Sequence, residues 1–330
     1  MRNSWSIMRR ASLTVLVLTA ALASGCRRPP GESLGPPVIW GGEGEADGQF
    51  TRPRAVTCAP DGSVYVADFT GRIQTFDADG RFVRSWTIVP FTAGKPAGLG
   101  VAPNGDLLVG ETHHHRIKRI APDGQVRDQW GTYGREPGRF LLIRDVTTDP
   151  KGNVYVGDYG YVEAVGLVSR IQKFSPDGTL ALCFGKQGSA PGELDRPEGV
   201  AVDADGAIYV ADGANHRVQV FSPEGECLRT WGTRGEAPGQ FIKPSDIDVS
   251  TDGYVYVADR DNHRVQVFTR DGTLVTVWGA LGTGRRHLAA PWGLALGPDG
   301  TCFICDTGNH RIVRVRLRLP ASTPPTPATR

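Results

Sequence analysis

The chain has 330 residues and a formal net charge of +2 at neutral pH, which becomes −1 once the three arginines of residues 1–25 (Arg2, Arg9, Arg10) are set aside. A near-neutral surface with interspersed charges carries no electrostatic footprint for nucleic acid, so no nucleic-acid partner is expected. The length suits one all-β domain with an ample core.

At the N-terminus, Arg2, Arg9 and Arg10 precede the apolar run Ala11–Leu22, too short to span a bilayer as an ordinary helix, and Leu22-Ala23-Ser24-Gly25-Cys26 follows. This stretch resembles a bacterial lipoprotein signal. The resemblance implies cleavage before Cys26 and a diacylglycerol on its thiol, although Ala23 stands where the pattern more often has Leu. Residues 1–25 are therefore expected to be a signal peptide and Cys26 the lipidation site, with export and a membrane contact through the lipid. Arg27 after the cysteine, in place of Asp, favours the outer membrane or cell surface. Residues 26–37 hold the lipidated Cys and a Pro-rich tether, which at about 3 Å per residue would set the globular part about 30 Å from the lipid.

From Arg196 to Gly232 the chain reads as four short β-runs separated by turn signals: Val200–Val202, Ala207–Ala211, Arg217–Phe221 and Cys227–Trp231. One such meander has too little core to stand alone, and the pattern recurs. The residue closing the second run falls at Asp68, Glu111, Asp158, Asp212, Asp259 and Asp306, with gaps of 43, 47, 54, 47 and 47 residues. These gaps lie at the propeller-blade end of repeat periods. The aromatic of the fourth run repeats as Trp86, Trp130, Phe184, Trp231 and Trp278, but after Val315 no Trp-Gly follows. Val38-Ile39-Trp40-Gly41 at the other end supplies it. The expected fold is an all-β, six-bladed propeller of four-stranded antiparallel blades over residues 38–318, closed by an N-terminal strand that completes the last blade. Residues 319–330 read as a Pro/Thr-rich tail unable to pack.

Asp212-x-x-Asn215-His216-Arg217, Asp259-x-x-Asn262-His263-Arg264 and Asp306-x-x-Asn309-His310-Arg311 resemble NHL repeats, a resemblance that implies six-bladed propellers. The first copy lacks the Asn-His pair, the second reads Glu111-Thr-His-His-His115-Arg116, and the third carries an insertion. A group repeated once per blade is spread round a ring, whereas a catalytic set converges on one point. Asp at a strand end and Arg five residues later can satisfy each other and the turn between them, so these residues are read as scaffold.

A ligand site belongs at the channel mouth, where each innermost strand starts. The places there are Arg54, Ala97, Arg144, Glu198, Ser245 and Trp292, which differ from blade to blade. Arg54, Arg144, Glu198, Ser245 and Trp292 either suit a small anionic or mixed-polarity ligand, with Trp292 as an apolar wall, or merely pair with one another or face solvent. Seven extra residues in blade three give Tyr159–Ser169, whose Tyr159, Tyr161, Val162, Val165 and Leu167 read either as a lid or partner contact beside the mouth, or as a loop packed on blades three and four.

Five cysteines besides Cys26 are an odd number, and Cys302 and Cys305 lie i, i+3 on a strand, pointing to opposite faces. Cys305 fills a small-residue slot and is read as packing. In His113-His114-His115, adjacent side chains diverge and His115 already fills the repeat's histidine slot. The related peptide-amidating lyase holds zinc through mouth histidines, and none of the six mouth places here is histidine; lactonase-like propellers use a carboxylate-rich calcium site that Glu198 alone matches poorly. The expectation is a monomeric binding module for a protein or small-molecule ligand, with no cofactor, no metal and no catalytic residues assigned. A metal-dependent lyase or hydrolase with an atypical mouth site is the alternative.

Overall fold

The computed structural model describes residues 31–88, 96–164 and 166–321. Within them the backbone forms six four-stranded antiparallel sheets arranged round a ring as the blades of a propeller. Innermost strands of successive blades touch all the way round: Ala55–Cys58, Pro96–Val101, Leu142–Thr148, Pro197–Val202, Pro244–Val249 and Leu294–Leu296. Five blades use four consecutive strands. The sixth takes Leu294–Leu296, Cys302–Asp306 and Arg311–Val315 from the end of the chain and its outer strand, Val38–Gly41, from the start. The register pairs Val38 with Arg314 and Trp40 with Ile312. The expected closure is present.

A sheet sandwiched between two neighbours is buried on both faces, so second strands such as Ile208–Asp212 read as continuous buried runs. The outermost strands are the wettest, with Trp278 their one fully buried residue among the described residues, and in Phe82–Thr87 every second residue is exposed. The core is distributed between blades. Tyr209, Val218, Phe241, Val257 and Phe268 fill the space between blades four and five. Phe241 comes from the loop after Trp231-Gly232, and Phe50, Phe140, Leu194 and Leu288 occupy the equivalent places, each fully buried. Trp40, Trp130 and Trp231 of the outer strands, and Phe184 in blade three, lie over the left-handed glycine in the last turn of the next blade. A Cβ on Gly80 would meet Trp40 at 2.6 Å, and one on Gly272 would meet Trp231 at 2.8 Å.

The repeated polar residues clamp these loops. Asp212 Oδ1 accepts the Asp195 N–H (2.7 Å), and Oδ2 accepts from Asn215 (2.9 Å), Arg217 Nε (2.8 Å) and Gln219 Nε2 (3.0 Å). Arg217 then donates to the carbonyls of Ser189, Ala190 and Glu193 in the loop that precedes the blade. Asp259 with Asn262, Arg264 and Gln266 repeats the arrangement. The buried glutamines Gln74, Gln172, Gln219 and Gln266 belong to it as well: each accepts a loop glycine N–H and donates to a loop carbonyl. The NHL-like residues are scaffold, as their spacing round the ring implies.

Cys58, Cys183, Cys227, Cys302 and Cys305 are free thiols, and Cys305 pairs across its strand with Ile312 as Ala211 does with Val218. The described part of the expected tether differs from an unpacked chain. Gly31 N–H donates to Arg318 O (2.9 Å) and Leu34 N–H to Arg316 O (2.8 Å), so residues 31–37 run antiparallel along the chain's end. Leu317 is buried in the cluster that contains Trp278, and the Tyr254 hydroxyl donates to Pro320 O (2.7 Å). The start of the expected tail therefore packs too. Cys26 and residues 322–330 lie outside the described residues.

Candidate functional site

The mouth residues are placed by the repeat itself. In four blades the residue two places before the mouth has a left-handed backbone and precedes proline: Arg52 (φ 54°), Arg196 (φ 56°), Lys243 (φ 54°) and Ala290 (φ 47°). Such a conformation in a non-glycine residue is unfavourable and must be held. Histidine Nδ1 of the preceding blade holds three of them, accepting the N–H of Arg52 (His310, 3.3 Å), Lys243 (His216, 3.1 Å) and Ala290 (His263, 2.9 Å). The Ser169 hydroxyl takes that part for Arg196 (3.3 Å). Each histidine is itself left-handed, with φ of 56–57° for these three, and Gly71 occupies the same place in blade one at φ 77°. The clamp thus fixes where Arg54, Glu198, Ser245 and Trp292 begin.

Those side chains meet, and they meet closely. Glu198 receives Arg144 Nε on Oε2 (2.8 Å) and Arg196 Nη2 on Oε1 (2.9 Å). Burial pushes the Glu198 carboxyl up, but Arg144 and Arg196 outweigh it and hold the group below the usual carboxylate range. The Trp292 ring has the guanidinium carbons of Arg54, Arg260 and Arg144 at 4.5, 4.7 and 5.6 Å from its centre. These cation–π contacts take up the ring that sequence reasoning assigned as an apolar wall. Ser245 donates to Trp292 O (2.8 Å) and is buried, so its hydroxyl ties blade five to blade six. Ala97 lines the same opening.

Blade three rises beside the mouth. The Tyr159–Ser169 stretch is a continuation of two nine-residue strands, Val154–Val162 and Gly166–Phe174, rather than a loose loop. Tyr159 pairs with Ser169 and faces the mouth, where Arg196 and Arg144 lie 5.2 and 5.5 Å from its ring centre. Tyr161 and Leu167, paired across the hairpin, are exposed, and Val162 is half-buried. Val165 lies outside the described residues.

Sequence reasoning missed Arg196 and Arg260 at the mouth. Arg260 stands where blades four and six have Gly213 and Thr307, and that departure is its only signal. It also missed the layer beneath. After the mouth residues come Ala55, Gly98, Asp145, Gly199, Asp246 and Gly293, so carboxylates alternate with glycines. A Cβ at Gly98 or Gly199 would lie 2.4 or 2.6 Å from the Asp145 or Asp246 Cα, so only glycine fits there. Asp145 accepts Val200 N–H (2.9 Å), Asp246 accepts Leu294 N–H (2.7 Å) and Asp248 accepts Leu296 N–H (2.8 Å), each bonding one blade to the next. All three line a channel cavity of about 170 Å³. Burial pushes the Asp145 carboxyl up to about 7 and Asp248 up to about 6; burial and then the charge of Asp145 push Asp246 well above the usual range.

In the histidine run, His114 Nδ1 lies 3.5 Å from Glu111 Oε2 while His115 Nδ1 contacts Leu141 O at 2.6 Å, so the two rings serve different partners. Among the described residues, no group of three or more His, Cys, Asp or Glu is arranged to hold a metal ion.

Comparison with known proteins agrees with this architecture. NHL repeats match at residues 94–120, 194–221, 241–268 and 288–314, which are blades two, four, five and six. NHL repeat-containing protein 3 of Mus musculus is 30% identical over 166 residues, 46% of this chain and 46% of that protein. Protein brain tumor of Drosophila melanogaster is 30% identical over 185 residues, 53% of this chain and 17% of that one. The chain spans less than half the length of these relatives. Among solved structures, a streptogramin B lyase superposes with a TM-score of 0.60 at 15% identity, over 87% of this chain and 100% of the other. The gluconolactonase XC5397 from Xanthomonas campestris gives 0.62 at 18%, over 89% and 99%. At such identities the likeness is one of fold.

Proposed function

We propose that this NHL-repeat β-propeller is a binding module, exported and anchored through a lipid on Cys26, that takes a protein or small-molecule ligand on its channel-mouth face. The observation that carries this reading is the convergence of residues that differ from blade to blade on one opening. A repeated scaffold of Asp, Asn, His, Arg and Gln holds the backbone of four blades there in an unfavourable conformation, and Arg54, Glu198 and Trp292 are what it presents, with Arg144 of blade three beside them. The blade-three hairpin adds an exposed Tyr161 and Leu167 on the same face, which suits a docking partner larger than the opening itself.

A thermal-shift screen of the processed protein tests it, run in parallel on wild type, Glu198→Gln and a hairpin variant carrying Tyr161→Ser and Leu167→Ser. A ligand whose stabilisation changes in Glu198→Gln or disappears in the hairpin variant supports the reading. Ligands that stabilise all three proteins alike would move the site elsewhere. The fold likeness to a lyase and a gluconolactonase keeps metal-dependent lyase or hydrolase chemistry as the second reading. One equivalent of zinc or calcium retained through dialysis, and lost in Glu198→Gln, would put that reading first.

A further inference from the structure

Around the mouth, guanidinium groups outnumber the carboxylates placed to pair with them. Glu198 divides its two oxygens between Arg144 and Arg196, and Arg260 pairs with Asp261 at 2.9 Å. Arg54 is left over. It is 8% exposed, lies 4.5 Å from the Trp292 ring centre and 5.6 Å from that of Phe69, and its buried Nε has no acceptor. No hydrogen bond or ion pair reaches its guanidinium among the described residues. The carboxylates beneath are engaged elsewhere: Asp145 accepts from Val146 and Val200, and Asp246 from Ile247 and Leu294.

A buried cation without an acceptor is unfavourable, and aromatic faces stabilise the charge without accepting its protons. Burial, and then the like charge of Arg144, draw the Arg54 pKa down to about 9, which still leaves it charged at neutral pH. The space bounded by Arg54, Arg144, Ser245 and Trp292, with Glu198, Asp145 and Asp246 also in its lining, is about 10 Å³, room for about one water-sized group. Glu198 is spent on two arginines, and burial raises the pKa of both aspartates, which favours their neutral form. Resting on the reading that the mouth binds a ligand, we propose that Arg54 anchors a site for a small oxyanion, a carboxylate or phosphate group, with Arg144 and Arg260 adding to the attractive field. The planar fork of a guanidinium matches two oxygens of such a group, which a spherical anion would not exploit. One oxygen reaches into the small cavity, and whatever carries the anion stands above the mouth beside Tyr159.

Calorimetric titration of the processed protein in low-chloride buffer tests this, with inorganic phosphate, acetate and phenyl phosphate as probes. Wild type should bind saturably. Arg54→Met or Arg54→Gln, whichever keeps the wild-type circular dichroism, should bind about tenfold more weakly or worse, because a charge-assisted bond to a buried group is lost. Glu198→Gln, which removes a carboxylate that competes for the mouth's guanidinium groups, should bind more tightly than wild type, and weaker binding would count against an anion site. Phenyl phosphate tighter than inorganic phosphate identifies the anion as the end of a larger ligand; equal affinities identify a free ion. Failure of all three anions to bind wild type, or equal binding by the Arg54 variant, overturns the site. If a neutral ligand then binds wild type and fails on Tyr159→Ala, the oxyanion assignment falls while the wider reading of the mouth stands.

Discussion

His216, His263 and His310 each sit at a left-handed position and accept a backbone N–H across the blade seam. Two separable contributions follow. Replacing His216 by alanine removes the acceptor and leaves a Cβ at positive φ, whereas glycine removes the acceptor but relaxes the backbone. His216→Gly should therefore be less destabilising than His216→Ala by about 1 kcal/mol, read from urea midpoints at constant slope. The opposite order would mean that the ring's packing, not its backbone, governs the position. Asp212 is a harsher case, being fully buried and the acceptor for four donors. Asp212→Ala should cost about 3–5 kcal/mol, since it leaves Arg217, Asn215 and Gln219 facing one another without an anion. A loss under about 1 kcal/mol would show that the loop holds without its clamp.

The innermost strands carry the pH dependence. Asp145 and Asp248 hold their protons to about 7 and about 6, and Asp246 higher than usual, mainly because burial disfavours their charge. Their folded values lie above the unfolded ones, so the stability they contribute is full below about pH 4 and is lost as pH rises through 6 and 7. The melting temperature should fall by a few degrees between pH 5 and pH 8, and Asp145→Asn with Asp246→Asn should flatten that slope. His216 acts in the other sense: burial, then Arg234 and Lys243, lower its pKa, so its contribution is lost only as pH drops below 6.5. At the blade-three hairpin, replacing Tyr159–Ser169 by the short turn of blade four should leave the fold intact and abolish ligand-induced stabilisation. The blades themselves were legible because the closing acid and the outer Trp keep their period. Gln219 was not, since Arg-Val-Gln-Val reads as a strand with a wet face, whereas this strand is covered on both sides and its polar position points into a loop. Asp145 and Asp246 were hidden for a related reason: their meaning lies in the glycines of adjacent blades. Composition likewise marks residues 31–37 as irregular without saying that the chain's end runs alongside them.

For the molecule as a whole, the strand Val38–Gly41 joins the two ends of the sequence into one blade. Inner strands run away from the mouth, so the third strand of each blade also ends on the far side, and the segments meeting at Gly31 and Arg318 lie opposite the mouth. A lipid on Cys26 would then hold the mouth outward, on five residues of chain before Gly31, roughly 15–18 Å at full extension. Deleting residues 31–41 should strip blade six of its outer strand, lower the melting temperature by more than 10 °C on the order expected for losing a core strand, and broaden the transition. A sharp transition at the wild-type temperature would show the closure to be ornamental.

That closure also imposes an order in time. Gly41 waits for Arg311, 270 residues further along. At about 5–20 residues per second the interval is on the order of 10–50 s during synthesis. Throughout it, the side of blade one that will meet blade six, with Phe50, Val56 and Phe76, has no partner. The opening strand is thus the last to be used, and the chain presents a sticky flank until Arg311 has been made. A circular permutant in which residues 31–41 follow residue 320 through a short linker removes that delay, and its ribosome-bound intermediates should resist protease from an earlier chain length than those of the natural order.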